Sequence, residues 1–415
     1  MRLRTRVSRH LRRGEKMRHF TIVGAGLGTP EGLTGEAKAA LLSAGCVFGT
    51  QRLAVQLSGL RTIETCAFTD LAERAKEADA ERVALLVSGD PGFFSAAQTL
   101  RQALSRYGTV ETLCGISSLQ AFCALLGERW EDAVLLSLHG RAGSLLGAVS
   151  YHKKVFALTG GEKNASQLCR ELTEAGLGAA EAAIGENLGT PEARIFRGTA
   201  AEAAERKCSS LAVLLVQNTH PADPSRALFD CDFVRGNVPM TKQEVRWTAV
   251  SLLSPTPEDI VYDIGAGTGS VALELGRRAY HGTVYAVERK PEALTLLEQN
   301  RRALGGFNVL PVAGDAPGAL ESLPAPDTVF IGGSGGELRG ILRLLYSKNP
   351  AVRVVISAVS LETLEESRRG IAECGFGPAE VCQIASARGR SAGPYTMLTA
   401  NNPVFLISGG GMRGA

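Results

Sequence analysis

The sequence predicts an α/β protein of two consecutive units with mostly parallel sheets. Short apolar runs alternate with helix-periodic stretches along the whole chain. Glycine supplies 48 of 415 residues, well above the usual ~7%, as expected where many tight turns approach a nucleotide. One polar, proline-bearing stretch, Asn218-Thr219-His220-Pro221-Ala222-Asp223-Pro224, interrupts the pattern and reads as a linker. In the first unit, strands are expected at 20–23, 83–87, 133–137, 155–158 and 211–216, with helices such as 35–44 and 96–107 between them. In the second, strands are expected at 260–264, 283–287, 308–312, 328–331 and 353–357, with helices at 270–278, 292–304, 337–345 and 361–374. The predicted organisation is a basic disordered tail over 1–17, a first domain over 18–217, a linker over 218–234 and a second domain over 235–410.

Composition narrows the function classes. The net charge of +3 conceals an asymmetry: residues 1–16 contribute +6, so the other 399 residues sum to −3. A mildly acidic body with no basic–aromatic face argues against a nucleic-acid partner. The nine cysteines form no C-x-x-C, lie mostly in apolar segments and read as reduced thiols of a cytoplasmic protein. The six histidines form no H-E-x-x-H and no tight cluster with cysteine, so no metal site is expected. No apolar run reaches 18 residues, so neither a membrane span nor a membrane partner is expected.

The strongest local signal is Asp263-Ile264-Gly265-Ala266-Gly267-Thr268-Gly269, which leaves a strand and opens a helix. Glycines let the backbone approach a ligand, and a helix start offers free N–H groups. Glu288 ends the next strand 23 residues beyond Gly265, where an acid accepts hydrogen bonds from ribose hydroxyls. A dinucleotide site competes with this reading, as does a glycine-rich turn without a ligand. The dinucleotide fingerprint is incomplete, because Ser270 stands where its last glycine belongs. Asp263 suits a cationic ligand, such as the ammonium or sulfonium of S-adenosylmethionine, better than a pyrophosphate. The pattern resembles that of class I methyltransferases. In that fold the turn holding Asp315 and Ala316 flanks the adenine, and Gly332-Gly333-Ser334-Gly335-Gly336 faces the substrate mouth.

The first unit carries several weaker signals in order. Gly24 and Gly26 follow the first strand; Gly89-Asp90-Pro91 and Phe93 follow another; Ser117 and Ser118 open a helix; His139 and Arg141 stand at a strand end. Asp90 either shapes its turn or touches a cofactor, and His139 and Arg141 suit an anionic substrate. Together these motifs resemble the tetrapyrrole (corrin/porphyrin) methylases across 20–216. The usual proline of the first glycine loop is replaced by Leu27. The second block, through Arg235-Gly236-Asn237-Val238-Pro239-Met240-Thr241-Lys242-Gln243-Glu244-Val245-Arg246, resembles the class I methyltransferases of cobalamin biosynthesis.

This resemblance implies a tetrapyrrole-methylase fold of two α/β subdomains, then a Rossmann-like class I methyltransferase domain. It also implies two methylations, at C-5 and C-15 of a precorrin-6B-type macrocycle with or without cobalt, and decarboxylation of the ring C acetate. S-Adenosylmethionine would be the methyl donor at both sites, the tetrapyrrole the partner, and the protein a homo-oligomer. Carried over by position, Gly24, Gly26, Gly89, Asp90, Pro91, Phe93, Ser117 and Ser118 would bind cofactor in the first domain. Thr241, Asp263, Gly265, Ala266, Gly267, Thr268, Gly269, Glu288, Asp315 and Ala316 would do so in the second. His139, Arg141, Lys242 and Arg246 are the candidate substrate contacts. A methyltransferase for RNA or protein, and a non-catalytic S-adenosylmethionine-binding protein, are the competing functions.

Overall fold

The computed structural model describes residues 18–138, 143–161 and 163–411. The first five strands are β1 (Arg18–Gly24), β2 (Cys46–Gly49), β3 (Glu64–Thr65), β4 (Arg82–Val87) and β5 (Gly108–Leu113). They form one sheet in the order β3-β2-β4-β1-β5, all pairs parallel. Its central strands bury both faces between helices, which explains the unbroken apolar run of β4. Because β1 and β4 are in register, Gly24 stands beside Val87 and both loops leave from the same edge. Gly26 and Gly89 then exchange backbone hydrogen bonds of 3.2 and 2.9 Å, which tie the first glycine loop to the Gly-Asp-Pro turn.

The second sheet contains β6 (Val134–Ser137), β7 (Lys154–Leu158), β8 (Glu181–Glu186), β9 (Arg194–Thr199) and β10 (Ala212–Gln217), in the order β6-β7-β10-β8-β9. Here the expected parallel arrangement is corrected. Only β6 and β7 pair in parallel; β10 runs antiparallel to both β7 and β8, and β8 to β9. The cause is connection length: the short turn from Glu186 to Arg194 cannot carry the chain back across the sheet.

The third sheet has β11 (Ile260–Ile264), β12 (Thr283–Glu288), β13 (Val309–Ala313), β14 (Thr328–Ile331), β15 (Arg353–Ala358) and β16 (Glu380–Ile384). A hairpin of β17 (Ala387–Ala392) and β18 (Tyr395–Ala400) precedes the last strand, β19 (Val404–Gly410). The order is β13-β12-β11-β14-β15-β19-β16; β11 to β15 are parallel, and β19 lies antiparallel between β15 and β16. The strand order reverses between β11 and β14, and ligands of open α/β sheets bind at the carboxyl ends of the strands at such a reversal.

Residues 218–234 are not a free linker. Asn218 donates to the Val149 carbonyl at 2.7 Å, and Leu228 and Phe233 are buried in the core of the second domain. The two domains also meet directly: Tyr151 donates its hydroxyl to Asn308 Oδ1 at 3.1 Å, and the Ser144 N–H donates to the His281 carbonyl at 3.0 Å. Among the described residues no helix is long and apolar enough to cross a membrane.

Candidate active sites

At the strand-order reversal a cavity of about 480 Å³ opens. The chain leaves β11 through Gly265, whose φ of +76° is left-handed. A side chain there would stand 2.8 Å from the Gly333 nitrogen, so the loops after β11 and β14 approach backbone to backbone. Gly265, Ala266, Gly267 and Thr268 line the cavity, and Gly269 caps the helix Ser270–Arg278 just behind them. From β12 comes Glu288, whose carboxylate accepts the N–H groups of Gly267, Arg289 and Lys290, each at 2.9 Å. These bonds fix the carboxylate at the cavity wall, with acceptor capacity left for a hydroxyl pair. Asp315 and Ala316 line the wall after β13, and Thr241 and Lys242 line it from the segment before the helix Gln243–Leu253.

Two expected residues stand elsewhere. Asp263, expected to contact a cationic ligand, lies beneath the loop, fully buried and outside the cavity lining. Neither of its oxygens has a well-formed hydrogen bond. Burial pushes its pKa up to about 7, the Ala272 N–H opposing this and the Glu288 charge adding to it. Arg246 is also corrected as a substrate contact, being fully buried. Its guanidinium donates to the Thr241 and Leu228 carbonyls at 2.9 and 2.7 Å, lies 3.3 Å from Asp230 and 3.7 Å from Glu274, and covers the Phe233 ring. A charge on an apolar helix face is stable only when so enclosed. It therefore holds the Thr241 backbone against the cavity instead of reaching into it.

The cavity has cations that the sequence reading missed. Arg289 and Lys290 line it beside Lys242, and Arg289 pairs with Asp315 at 3.4 Å near the mouth. Their position directly after Glu288, at a strand end, was the available signal. The base of the hairpin closes one side through Ser386 and Asn401, which bond to each other at 3.0 Å. Arg388 clamps the hairpin to Glu244 at 2.6 Å and to Asp230 at 3.6 Å.

A second cavity, of about 450 Å³, lies between the two sheets of the first domain. Gly26, Gly89, Phe93 and Ser118 line it from the first subdomain, and Ser137, Thr159, Gly185 and Val213 from the second. The other expected residues stand behind this surface. Asp90 shapes the backbone: it accepts from the Gly92 N–H at 2.7 Å and the Gly115 N–H at 3.1 Å, joining two loops. Gly24 packs so tightly that a side chain would meet Pro91 at 2.7 Å and the Gly115 nitrogen at 2.6 Å. Ser117 caps the helix Ser118–Leu126, its hydroxyl accepting the Gln120 N–H at 3.2 Å. Leu27, the departure from the family pattern, joins Leu188 in the apolar wall. His139 and Arg141 lie outside the described residues. Arg52, which sequence reading missed because the four-residue β2 before it was not foreseen, lines the cavity.

Each domain thus carries one cleft, the first between two α/β sheets and the second at the strand-order reversal of an open sheet, an arrangement that fits a two-domain enzyme with two nucleotide-type sites. Comparison with known proteins specifies it. Residues 19–204 match the family described as tetrapyrrole (corrin/porphyrin) methylases, and 232–409 match the precorrin methyltransferase domain. A precorrin-6Y C(5,15)-methyltransferase [decarboxylating] from Sinorhizobium sp is 30% identical over 357 residues, covering 83% of this chain and 85% of that one. A probable cobalt-precorrin-6B C(15)-methyltransferase (decarboxylating) from Methanothermobacter thermautotrophicus is 40% identical over 182 residues, covering 43% of this chain and 93% of that one. The Salmonella typhimurium cobalt-precorrin-6B C(15)-methyltransferase (decarboxylating) is 36% identical over 180 residues, covering 42% and 92%. The chain belongs to the precorrin-6Y C(5,15)-methyltransferase (decarboxylating) family.

Proposed function

We propose a division of labour for the family's activity, which is methylation of precorrin-6Y at C-5 and C-15 with decarboxylation in cobalamin biosynthesis. The cleft of the first domain methylates C-5. The cleft of the second methylates C-15 and promotes loss of CO₂ from the ring C acetate. The observation that carries this is the presence of two separate cavities of about 450 and 480 Å³, one in each domain. A C(15)-specific decarboxylating relative covers 43% of this chain, about the share of one domain.

S-Adenosylmethionine bound in each cleft supplies an electrophilic methyl group. The residues present fit such a group in the second cleft: the backbone of Gly265 to Thr268 lines it where two loops meet backbone to backbone, and the Glu288 carboxylate faces it with lone pairs to spare. In the first, Gly26 and Gly89 form an equivalent edge, with Phe93 and Leu188 as apolar walls.

The ring carbons of a reduced tetrapyrrole are enamine-like and already nucleophilic, so the chain's task is in-line placement of two reactants. Lys242, Arg289 and Lys290 bind peripheral carboxylates at the second mouth. The apolar walls exclude water, and the hairpin base at Ser386 and Asn401 borders the macrocycle side. Decarboxylation uses the macrocycle as electron sink; the ring C carboxylate needs only to be held away from water. The reading includes a cytoplasmic location, in keeping with nine free cysteines. It also includes self-association, in keeping with the exposed Tyr395, Met397 and Leu398 of the hairpin, and sedimentation measures it.

The test uses variants that cripple one cleft at a time, Gly89→Val and Gly265→Ala, with labelled S-adenosylmethionine and the tetrapyrrole in metal-free and cobalt forms. Loss of only C-5 transfer in the first, and of only C-15 transfer and CO₂ release in the second, supports the division. Loss of the same step in both refutes it.

A further inference from the structure

Among the described residues, the first cleft holds a charge without a counter-charge. Among the described residues that line it, Arg52 is the only one with an ionic side chain. It sits on the short helix Gln51–Gln56 directly after β2. Its guanidinium is fixed at two points: one terminal nitrogen donates to Gln56 Oε1 at 3.0 Å and the other to Ser88 Oγ at 2.7 Å. Those bonds use two of five N–H donors. No carboxylate among the described residues pairs with it, whereas the buried Arg246 of the second domain has two. Burial also pulls the Arg52 guanidinium below its usual range.

A half-buried guanidinium held by neutral acceptors, its remaining donors beside an apolar cavity, is a receptor for a planar anion. Ser88 directly precedes Gly89-Asp90-Pro91, so a group bound at Arg52 is registered against the turn that edges the cleft.

We propose that Arg52 is the carboxylate anchor of the first cleft. This rests on the reading of that cleft as the C-5 methylation site. The carboxylate has two sources, a peripheral side chain of the tetrapyrrole or the methionine end of the methyl donor, and the experiment separates them. Arg52 is a positioning residue: it receives no proton and forms no bond in the transfer.

The full-length protein and its Arg52→Gln and Arg52→Lys variants are compared. Equilibrium binding of S-adenosylmethionine and of the tetrapyrrole is measured, together with KM for each in C-5 methylation; C-15 methylation on the same chain reports folding. The anchor predicts a loss of about ten- to a hundredfold in carboxylate-ligand binding for Arg52→Gln, the usual worth of a charge-assisted bond. Arg52→Lys keeps the charge, loses the fork and falls between. A rise in tetrapyrrole KM and Kd places the side-chain carboxylate at Arg52; a rise in those for S-adenosylmethionine places the methionine carboxylate there. Unchanged KM and Kd values for both ligands in Arg52→Gln overturn the proposal, as do equal losses of C-5 and C-15 transfer in the two variants. Wild-type protein that adds no methyl at C-5 refutes the underlying reading instead.

Discussion

Replacing Gly265 by alanine isolates the second cleft, and its cost follows from the geometry. At φ +76° a non-glycine residue costs about 1–2 kcal/mol. The added methyl would lie 2.8 and 2.9 Å from the Gly333 nitrogen and oxygen, both backbone atoms that no rotamer can move aside. Forcing such a contact apart costs about 1–3 kcal/mol more. The total, about 2–5 kcal/mol, bears on whichever state needs the native loop, and 2 kcal/mol alone is roughly a thirtyfold shift. Gly265 and Gly333 both line the cavity, so the share of this cost borne by the bound state lowers the methyl donor's affinity there, by up to that factor for each 2 kcal/mol, and the rest lowers stability. Product mass and fragmentation are the assay: C-15 methylation and CO₂ release collapse while C-5 methylation persists. An unimpaired C-15 step at limiting S-adenosylmethionine refutes the reasoning.

Three further outcomes are expected. Arg246→Ala leaves Asp230 and Glu274 buried without their cation and destabilises the protein by about 3–5 kcal/mol in denaturant titration, and Arg246→Met by less. Asp263 has its pKa raised to about 7 by burial, so the folded state binds its proton more tightly than the unfolded chain; its contribution to stability falls as pH rises from the usual carboxylate range through 7. Asp263→Asn removes that fall, raising the melting temperature relative to wild type more at pH 8 than at pH 5, and parallel curves would contradict this. His152 and His281 face each other across the domain seam, rings 5.9 Å apart beside Tyr280, and burial lowers both pKa values; the charge of His281 lowers that of His152 further, while Glu258 works against the shift at His281. Their neutral forms are favoured, so this part of the stability is complete above the ordinary histidine pKa and is lost as pH falls below it. The melting temperature of the wild type relative to a His152→Asn, His281→Asn double variant should therefore fall between pH 7 and 5, and a constant difference would contradict this.

The second site was largely legible because its chemistry is local. Gly265 to Thr268 and Asp315 follow strands and Glu288 ends one, and parallel strands deliver such positions to one edge. What sequence could not show was direction. Arg246 and Lys242 are both basic and four residues apart, yet one is enclosed by Asp230 and Glu274 and the other lines the cavity. Asp263 likewise precedes the loop by two residues but lies under it. In the first domain, β2 is too short to signal itself, so Arg52 went unseen. The segment 218–234 looked like a linker from its polar start, while Leu228 and Phe233 further on anchor it in the core.

The most direct measurement is single-turnover mass spectrometry of the wild-type protein with labelled S-adenosylmethionine and precorrin-6B, in metal-free and cobalt forms. The expected result is a gain of two labelled methyl groups, at C-5 and C-15, with loss of one CO₂ in at least one of the two forms. No mass change with either macrocycle, while S-adenosylmethionine binds measurably, would contradict the assignment and point to another methyl acceptor.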